Sequence, residues 1–383
     1  METVKKYCAA PWRGLHLNFD GRVQTCCAAD PAVLGKNNKG TIESILQGPA
    51  LTEVKESIKQ GVLHELYCKG CIDREDAGFE SERDWHNNIS PDFDCKNADV
   101  NEHIPSLIDV RWNNTCNLAC TYCCDYFSTK WASIKGLPQN MTINTQYQKV
   151  IDYIKKHKSH TKEVAMVGGE PLIMKENNAL LDILPEDVLV TVISNMTTDF
   201  DKFPVPNKLL GRKRVGWSMS FDNIGKRFEY VRWGSTWEQL NKNVTTVANK
   251  INNSQQHGGI HSVYNIYNCT RLCELKQYAL DKSISILWQN VCGDQIGGDH
   301  LDPVFHNANV RELAIEEIQK FRSTFKPTNS DKIFLDNTEE QLQKGTTNQS
   351  KEFLEFTDNI ENKFHPDQKG QFAKLWPEIA KAL

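Results

Sequence analysis

Residues 106–123 read SLIDVRWNNTCNLACTYC, and this stretch decides the fold. A short β-rich run leads into three cysteines, Cys116, Cys120 and Cys123, with the spacing C-x3-C-x2-C. A closed structural zinc site takes four ligands, and three thiolates on a cubane cluster leave one iron free. At this point the alternatives are a zinc site completed by Cys124 or a distant histidine, and buried thiols that hold no metal.

Five further β-rich runs follow the first, and stretches with helical spacing lie between most of them. These runs are 163–168, 188–194, 215–221, 260–267 and 283–291. Buried strands that alternate with helices indicate βαβ units and a parallel sheet. Six strands are too few for an eight-stranded barrel, so the sequence predicts an open partial barrel or a doubly wound sheet. The active site of such a sheet lies at the carboxyl ends of its strands.

The composition is that of an ordinary globular chain: 383 residues, 25% charged, 39% apolar and a net charge of −4. No apolar run approaches the ~20 residues that cross a bilayer, and the N-terminus lacks a secretory signal. We therefore expect a cytoplasmic protein without a membrane partner. Because acidic residues outnumber basic ones, a nucleic-acid partner is disfavoured. The 13 cysteines are an odd number, which argues against a disulfide framework and favours metal ligands.

The cysteine loop resembles the radical S-adenosylmethionine (radical SAM) family. The hallmark of that family is a C-x3-C-x-aromatic-C loop after the first strand, and Tyr122 is the aromatic residue here. The resemblance implies a [4Fe–4S] cluster on Cys116, Cys120 and Cys123. It also implies that the fourth iron chelates the amino and carboxylate groups of SAM.

Later strand ends carry motifs similar to those of the same family, although each alone would indicate only a turn, a helix cap or a surface charge. They are a Gly-Gly-Glu, a Ser-Asn with Met196 where the family often has glycine, and a Ser-x-Asp followed by an arginine. A planar guanidinium suits the SAM carboxylate because it binds a carboxylate bidentately. The SAM-binding residues implied by the resemblance are Tyr122, Gly168, Gly169, Glu170, Ser194, Asn195, Ser220, Asp222, Arg232, Asn265 and Trp288.

The N-terminal cysteines form a second group. The stretch Cys8-x12-Gly21-x4-Cys26 resembles the first half of the cysteine pattern of SPASM/twitch auxiliary-cluster domains, and Cys68-x2-Cys71 supplies a second pair. Four thiolates suit a [4Fe–4S] cluster and an all-cysteine zinc site equally well. The neighbouring radical SAM motifs favour the cluster. Cys27 is the alternative to Cys26 as a ligand.

In most twitch enzymes the auxiliary module follows the barrel, whereas here it precedes the barrel. The sequence resembles a subgroup with this inverted order, which carries Cys-x2-Cys-x3-Glu-x2-Gly-x2-Ser-x-Arg and a closing helix similar to residues 375–379, LWPEI. The first of these motifs is matched by Cys68, Cys71, Glu75, Gly78, Ser81 and Arg83.

The sequence therefore predicts an α/β protein with three parts. Residues 1–104 are a twitch-like auxiliary iron–sulfur module, 105–292 a partial (β/α)6 barrel of radical SAM type, and 293–383 a helical C-terminal extension. Within the extension, helical spacing covers 310–325 and 353–383. The polar stretch 326–350 is expected to be the most flexible.

The resemblance implies an oxidoreductase that cleaves SAM to a 5′-deoxyadenosyl radical, which abstracts hydrogen from a substrate. A peptide is the first substrate class, and a sugar, nucleotide or other small metabolite is the alternative. The reductant is expected to be a flavodoxin or a ferredoxin. Cys292, which follows the sixth strand, is the candidate catalytic hydrogen donor. The alternative outside the enzyme class is a non-catalytic zinc or iron–sulfur scaffold.

Overall fold

The computed structural model describes residues 6–30, 32–34, 41–76, 80–138, 147–290 and 298–383. The chain forms two compact units. The first comprises Met1–Asn114, Asn140–Val192 and Gly211–Gly216, and the second comprises Thr115–Gln139, Ile193–Leu210 and Trp217–Leu383.

The described residues contain eight β-strands and a larger number of α-helices. The strands are β1 (Gly14–Leu17), β2 (Val23–Gln24), β3 (Leu107–Val110), β4 (Glu163–Met166), β5 (Leu189–Ser194), β6 (Val215–Ser220), β7 (His257–Tyr264) and β8 (Ser285–Asn290). The helices are α1 (Ala10–Arg13), α2 (Ile42–Leu46), α3 (Pro49–Lys59), α4 (Lys69–Asp76), α5 (Glu82–Ile89), α6 (Thr129–Ile134), α7 (Tyr147–His157), α8 (Lys175–Ile183), α9 (Pro204–Gly211), α10 (Gly225–Val231), α11 (Trp237–Asn252), α12 (Leu272–Asp281), α13 (Ala308–Thr324), α14 (Asn329–Lys344), α15 (Ser350–Asn359), α16 (Phe372–Leu375) and α17 (Pro377–Ala382).

The first unit is built on strands in the order β2-β1-β3-β4-β5. β1 and β2 are antiparallel and are joined by a turn over residues 18–21, where Gly21 takes a φ of +86°. From β1 onward the pairs are parallel, with Leu15 opposite Ile108, Ile108 opposite Val164, and Val164 opposite Val190. The β-branched and leucine side chains of β1 to β4 are buried, as expected for a covered parallel sheet, whereas Leu189, Thr191 and Ile193 of β5 are half-buried.

The helices of the first unit form because apolar residues recur at helical spacing. In α3, Pro49 occupies the first turn, where its missing N–H costs nothing, and Leu51, Val54 and Ile58 are fully buried along one face. The sequence analysis did not predict α2 to α5, which lie within the predicted auxiliary module of residues 1–104. Their short length and many polar residues hide the helical period.

The second unit holds β7 and β8, which are parallel from Gly259 opposite Ser285 to Tyr264 opposite Asn290. β5 and β6 have residues in both units. All six strands predicted for the barrel are therefore present, and the α/β class is confirmed. The predicted segment boundaries at residues 104 and 292 stay predictions.

The expectation of a flexible stretch at 326–350 is wrong for most of its length, because α14 spans Asn329–Lys344. The helix begins with a capping box, in which the Thr328 side chain accepts from the Asp331 N–H while Asp331 accepts from the Thr328 N–H. Phe334, Leu335 and Leu342 are buried along one face. Half of its exposed positions carry the Lys, Asn and Gln residues that suggested flexibility, namely Asn329, Lys332, Gln343 and Lys344. None of the helices in the described ranges has the length and apolar character to span a membrane.

Candidate functional site

In the second unit, the loop after β3 brings three thiols close together. Burial raises the pKa of the Cys123 thiol well above its usual range, and the neighbouring Cys120 and Cys116 thiols raise it further. Burial also raises the pKa of Cys120, although the Arg232 guanidinium opposes that rise. The charge of each of these groups shifts the pKa of its neighbours, because like charges repel and opposite charges attract. The three thiols and the Arg232 guanidinium therefore lie close together.

Hydrogen bonds and packing fix the path of this loop. The indole N–H of Trp131 donates to the Cys120 carbonyl at 2.9 Å, and the Ala119 and Thr121 N–H groups donate to the carbonyls of Trp233 and Val231 at 2.9 and 2.8 Å. Gly234 follows with a φ of +110°, and a Cβ there would lie 3.1 Å from the Asn117 carbonyl. The backbone of residues 231–234 therefore helps to fix the conformation of the cysteine loop.

A buried polar network connects the loop to the ends of β6 and β7. The Tyr122 hydroxyl donates to Asp222, and the Arg232 guanidinium pairs with the same carboxylate oxygen at 3.1 Å. The other Asp222 oxygen accepts from the Val263 N–H at 2.8 Å. Burial disfavours the charged form of Arg232, but Tyr122 and Asp222 outweigh that effect and raise its pKa. Arg232 is therefore a fixed cation beside Cys120.

The end of β5 contacts the first cysteine. The Asn195 amide donates to the Asn117 side-chain oxygen at 2.9 Å and approaches the Cys116 sulfur at 3.9 Å. The Ser194 hydroxyl accepts from the Met196 N–H at 2.9 Å. Met196 has a φ of +59°, a conformation that favours glycine, the residue that the resemblance predicts at this position.

The remaining predicted residues of this unit lie at strand ends. Ser220 ends β6, two residues before Asp222. The Asn265 side chain donates to the Val263 carbonyl and accepts from the Tyr267 N–H, both at 2.8 Å, so it shapes the turn after β7. The Trp288 indole donates to Asp331 at 3.0 Å and stacks on Phe334. Roles of Ser220, Asn265 and Trp288 in SAM binding stay predictions.

In the first unit, the Gly-Gly-Glu motif follows β4 and lies against the backbone that follows β3. Gly168 has a φ of +124°, and a Cβ there would lie 3.0 Å from the Asn113 carbonyl, which also accepts from the Gly169 N–H at 3.3 Å. The buried Glu170 carboxylate accepts from the Leu172 N–H at 3.1 Å and so begins the short 3-10 turn Pro171–Ile173.

The four predicted auxiliary ligands of the first unit, Cys8, Cys26, Cys68 and Cys71, line one cavity. Burial raises the pKa of Cys8 above its usual range and that of Cys68 to about 11. Cys27 is not among the residues that line this cavity. It shares a hydrogen bond with Cys26, which together with burial raises its pKa well above the usual value.

The three cysteines after β3 and the four cysteines of the first unit all offer thiols as metal ligands. Thiolates bind iron–sulfur clusters and zinc. No three His, Cys, Asp or Glu side chains in the described part of the chain are arranged to hold a single metal ion. Burial raises the pKa of every thiol in these groups for which a shift is resolved, so the binding of a metal to them as thiolates must release protons. Both groups fit the clusters predicted from the sequence. Cys292, the predicted catalytic residue, lies outside the described residues.

Two residues of the loop's surroundings were missed by the sequence analysis. Asn117 accepts from Asn195, and Trp131 donates to the Cys120 carbonyl. Asn117 lies inside the quoted motif but is not one of its cysteines. Trp131 lies just after Ser128, whose hydroxyl caps α6, and that serine was the available signal for a helix close behind the cysteines.

Comparison with known families gives one match, which covers residues 8–72: the SPASM model, described as an iron–sulfur cluster-binding domain. This range contains all four cysteines that line the cavity of the first unit. A search of curated proteins found no match.

Solved structures with a similar fold include native anSMEcpe with bound AdoMet, at 14% identity and a TM-score of 0.40. The alignment covers 56% of this chain and 59% of that one. Streptococcus suis SuiB bound to S-adenosylmethionine has 15% identity and a TM-score of 0.41, over 57% of this chain and 48% of SuiB. SuiB bound to the precursor peptide SuiA has 13% identity and a TM-score of 0.42, over 71% and 63%. This chain thus spans less than two thirds of the length of each.

The SPASM match and the cysteine loop are independent features of one chain. The match covers residues 8–72, and the C-x3-C-x2-C loop after β3 lies outside that range. Residues 8–72 are thus similar to a SPASM iron–sulfur cluster-binding domain, and the resemblance of the cysteine loop to the radical SAM family stays a prediction.

Proposed function

We propose that the protein is an enzyme that reductively cleaves SAM and uses the resulting 5′-deoxyadenosyl radical to take hydrogen from a substrate. The observation that carries the proposal is the grouping of Cys116, Cys120 and Cys123 beside the buried Arg232. When bound, a cluster on three thiolates supplies an open iron for SAM and one electron for its cleavage.

The proposed work of the chain is to bind and orient SAM. Arg232 offers a fixed positive charge for the SAM carboxylate, because Asp222 and Tyr122 hold its guanidinium in place. Asn195 approaches Cys116 and constrains that side of the cysteine loop. Ser194 supports the positive-φ turn that places Asn195.

The auxiliary site is proposed to accept an electron from the substrate radical, which gives a net oxidation. Four cysteines line its cavity, so each iron of a [4Fe–4S] cluster would have a protein ligand. Full protein ligation favours electron transfer over direct coordination of substrate. An all-cysteine zinc site is the alternative that the sequence leaves open, and the absence of three described side chains arranged around a single metal ion favours the cluster.

A peptide is the proposed substrate class. The solved complexes of SuiB with the precursor peptide SuiA and of anSMEcpe with the Kp18Cys peptide contain substrates or ligands of that class. A sugar, a nucleotide or another small metabolite is the alternative. A flavodoxin or ferredoxin is proposed as the reductant.

The proposal is tested by incubating the reconstituted protein with SAM and dithionite without oxygen and measuring 5′-deoxyadenosine by mass spectrometry. Wild type is expected to form it slowly, and the Cys116→Ala/Cys120→Ala/Cys123→Ala variant is expected to form none. Cys124→Ala is the matched control and is expected to retain activity. Short peptides should accelerate the reaction more than nucleosides or sugars do. Equal yields from wild type and the triple variant would overturn the proposal.

A further inference from the structure

We infer that Arg83 is the charge-compensating residue of the auxiliary centre, and that Glu75 and Ser81 hold it in position. The inference rests on the proposed auxiliary cluster. Arg83 is the only residue with a permanently charged side chain among the described residues that line the cavity. The lining consists of Cys8, Ala10, Pro11, Cys26, Ala28, Ala29, Tyr67, Cys68, Cys71 and Arg83.

A network of short contacts fixes the guanidinium. Arg83 Nε and the Ser81 hydroxyl both donate to one Glu75 oxygen at 2.8 Å, and Lys6 pairs with the other oxygen at 2.7 Å. Arg83 Nη1 donates to the Tyr7 carbonyl at 3.3 Å. Burial raises the pKa of Glu75, but the hydrogen bonds from Arg83, Lys6 and Ser81 have a larger opposite effect. The net result is a pKa lowered to about 2. Glu75 is therefore a permanent anion that orients Arg83.

Helix geometry explains the spacing of these residues in the sequence. Ser81 is the N-cap of α5 and forms a capping box with Asp84, so Arg83 lies in the first helical turn. Glu75 lies near the end of α4, the helix that also carries Cys71. Glu75 thus links the helix that supplies a ligand to the helix that supplies the cation.

The position of Arg83 relates it to ligands that are distant in the sequence. Arg83 lines the same cavity as Cys8 and Cys68, and its Nη1 donates to the carbonyl of Tyr7, the residue before Cys8. Cys8 and Cys68 come from opposite ends of the SPASM match. The cation therefore lies close to thiols from both halves of the site.

Electrostatics gives this placement a consequence for redox chemistry. A cubane on four thiolates is anionic, and its reduction adds another negative charge inside a largely apolar lining. A nearby cation stabilises the reduced state more than the oxidised state, because the reduced state carries more negative charge. Arg83 therefore makes the auxiliary centre easier to reduce, as an electron acceptor requires.

The experiment is a potentiometric titration, monitored by electron paramagnetic resonance, with dithionite as reductant. It uses the triple variant Cys116→Ala/Cys120→Ala/Cys123→Ala as parent, so that the auxiliary cluster gives the signal. Arg83→Gln is expected to move the midpoint potential to a more negative value, and Arg83→Lys is expected to remain near the parent. Arg74→Gln is the matched control, because Arg74 lies on α4 and does not line the cavity.

An unchanged potential in Arg83→Gln, or an equal shift in Arg83→Gln and Arg83→Lys, would overturn the inference. If Arg83→Gln loads no iron, retention of iron by Arg83→Lys supports a need for positive charge, and loss from both contradicts it. A parent that contains zinc and no iron also overturns the inference. The proposed function fails separately, when wild type forms no 5′-deoxyadenosine.

Discussion

The Arg232 guanidinium lies 3.1 Å from the carboxylate of Asp222, and the Tyr122 hydroxyl donates to the same oxygen. Asp222 is 1% exposed and Arg232 is 7% exposed, so the pair is buried. A buried charge is stable only when it is paired and hydrogen-bonded. The network therefore stabilises the loop between Cys120 and Cys123 and keeps a positive charge beside it.

Asp222→Ala should destabilise the protein by about 3–5 kcal/mol, because it leaves Arg232 buried without its carboxylate. Tyr122→Phe should cost about 1 kcal/mol, since Asp222 keeps its bonds to Arg232 and Val263. Urea denaturation under anaerobic conditions measures both effects. Asp358→Ala, at an exposed position, is the control. Stability of Asp222→Ala equal to that of the control would show that the network does not stabilise the fold.

Arg232→Ala should weaken SAM binding by about 1.5–3 kcal/mol, the usual value for a hydrogen bond to a charged group, or about ten- to hundredfold in Kd. Arg232→Lys should bind SAM with intermediate affinity, because an ammonium keeps the charge but lacks the planar fork. Equilibrium dialysis with labelled SAM gives the affinities. If all three proteins bind SAM equally, the carboxylate contact lies elsewhere.

Cys71→Ala should remove about four irons and leave the other cluster intact, because Cys71 lines the auxiliary cavity. Cys27→Ala should retain full iron content, since Cys27 does not line that cavity. Iron analysis after anaerobic reconstitution measures both. Limited proteolysis of Cys71→Ala should cut within residues 1–104, because a bound metal contributes folding energy to a small module. Loss of iron from Cys27→Ala with retention in Cys26→Ala would shift the ligand assignment by one residue.

The six barrel strands could be predicted because each is a short apolar run between helices, as in 188–194, which contains β5. The cysteine loop could be predicted because its three thiols are close in the sequence. The contacts of Asp222 could not, since Tyr122 and Val263 are distant in the sequence and meet through the fold. The parallel pairing of β1 with β3 was missed for the same reason: it joins residues about 90 positions apart.

The role of Glu75 could not be predicted from the sequence for a different reason. The motif that contains Glu75, Ser81 and Arg83 was visible in the sequence, but its purpose depends on which side chains share one carboxylate oxygen. Spacing alone does not distinguish an exposed ion pair from a half-buried ion pair beside a cavity. The lining of the cavity by Arg83 makes that distinction.

Acid should destabilise the protein in part through His365, which is buried and stacks on Trp233 at 4.4 Å between ring centroids. Burial lowers its pKa from 6.5 to about 4. Below pH 6.5 the unfolded chain therefore binds a proton that the folded chain does not, so stability is lost as the pH falls toward 4. His365→Phe should show a smaller drop in melting temperature between pH 7.5 and pH 5.5 than wild type. Equal drops in the two proteins would contradict this assignment.

The most direct test of the central claim is the electron paramagnetic resonance spectrum of the dithionite-reduced protein before and after addition of SAM. If Cys116, Cys120 and Cys123 hold a cluster with one open iron, SAM should change the spectrum of wild type and of Cys71→Ala. The same addition should leave the spectrum of Cys116→Ala/Cys120→Ala/Cys123→Ala unchanged. A wild-type spectrum that SAM does not alter, or a colourless protein that contains stoichiometric zinc, would contradict the account.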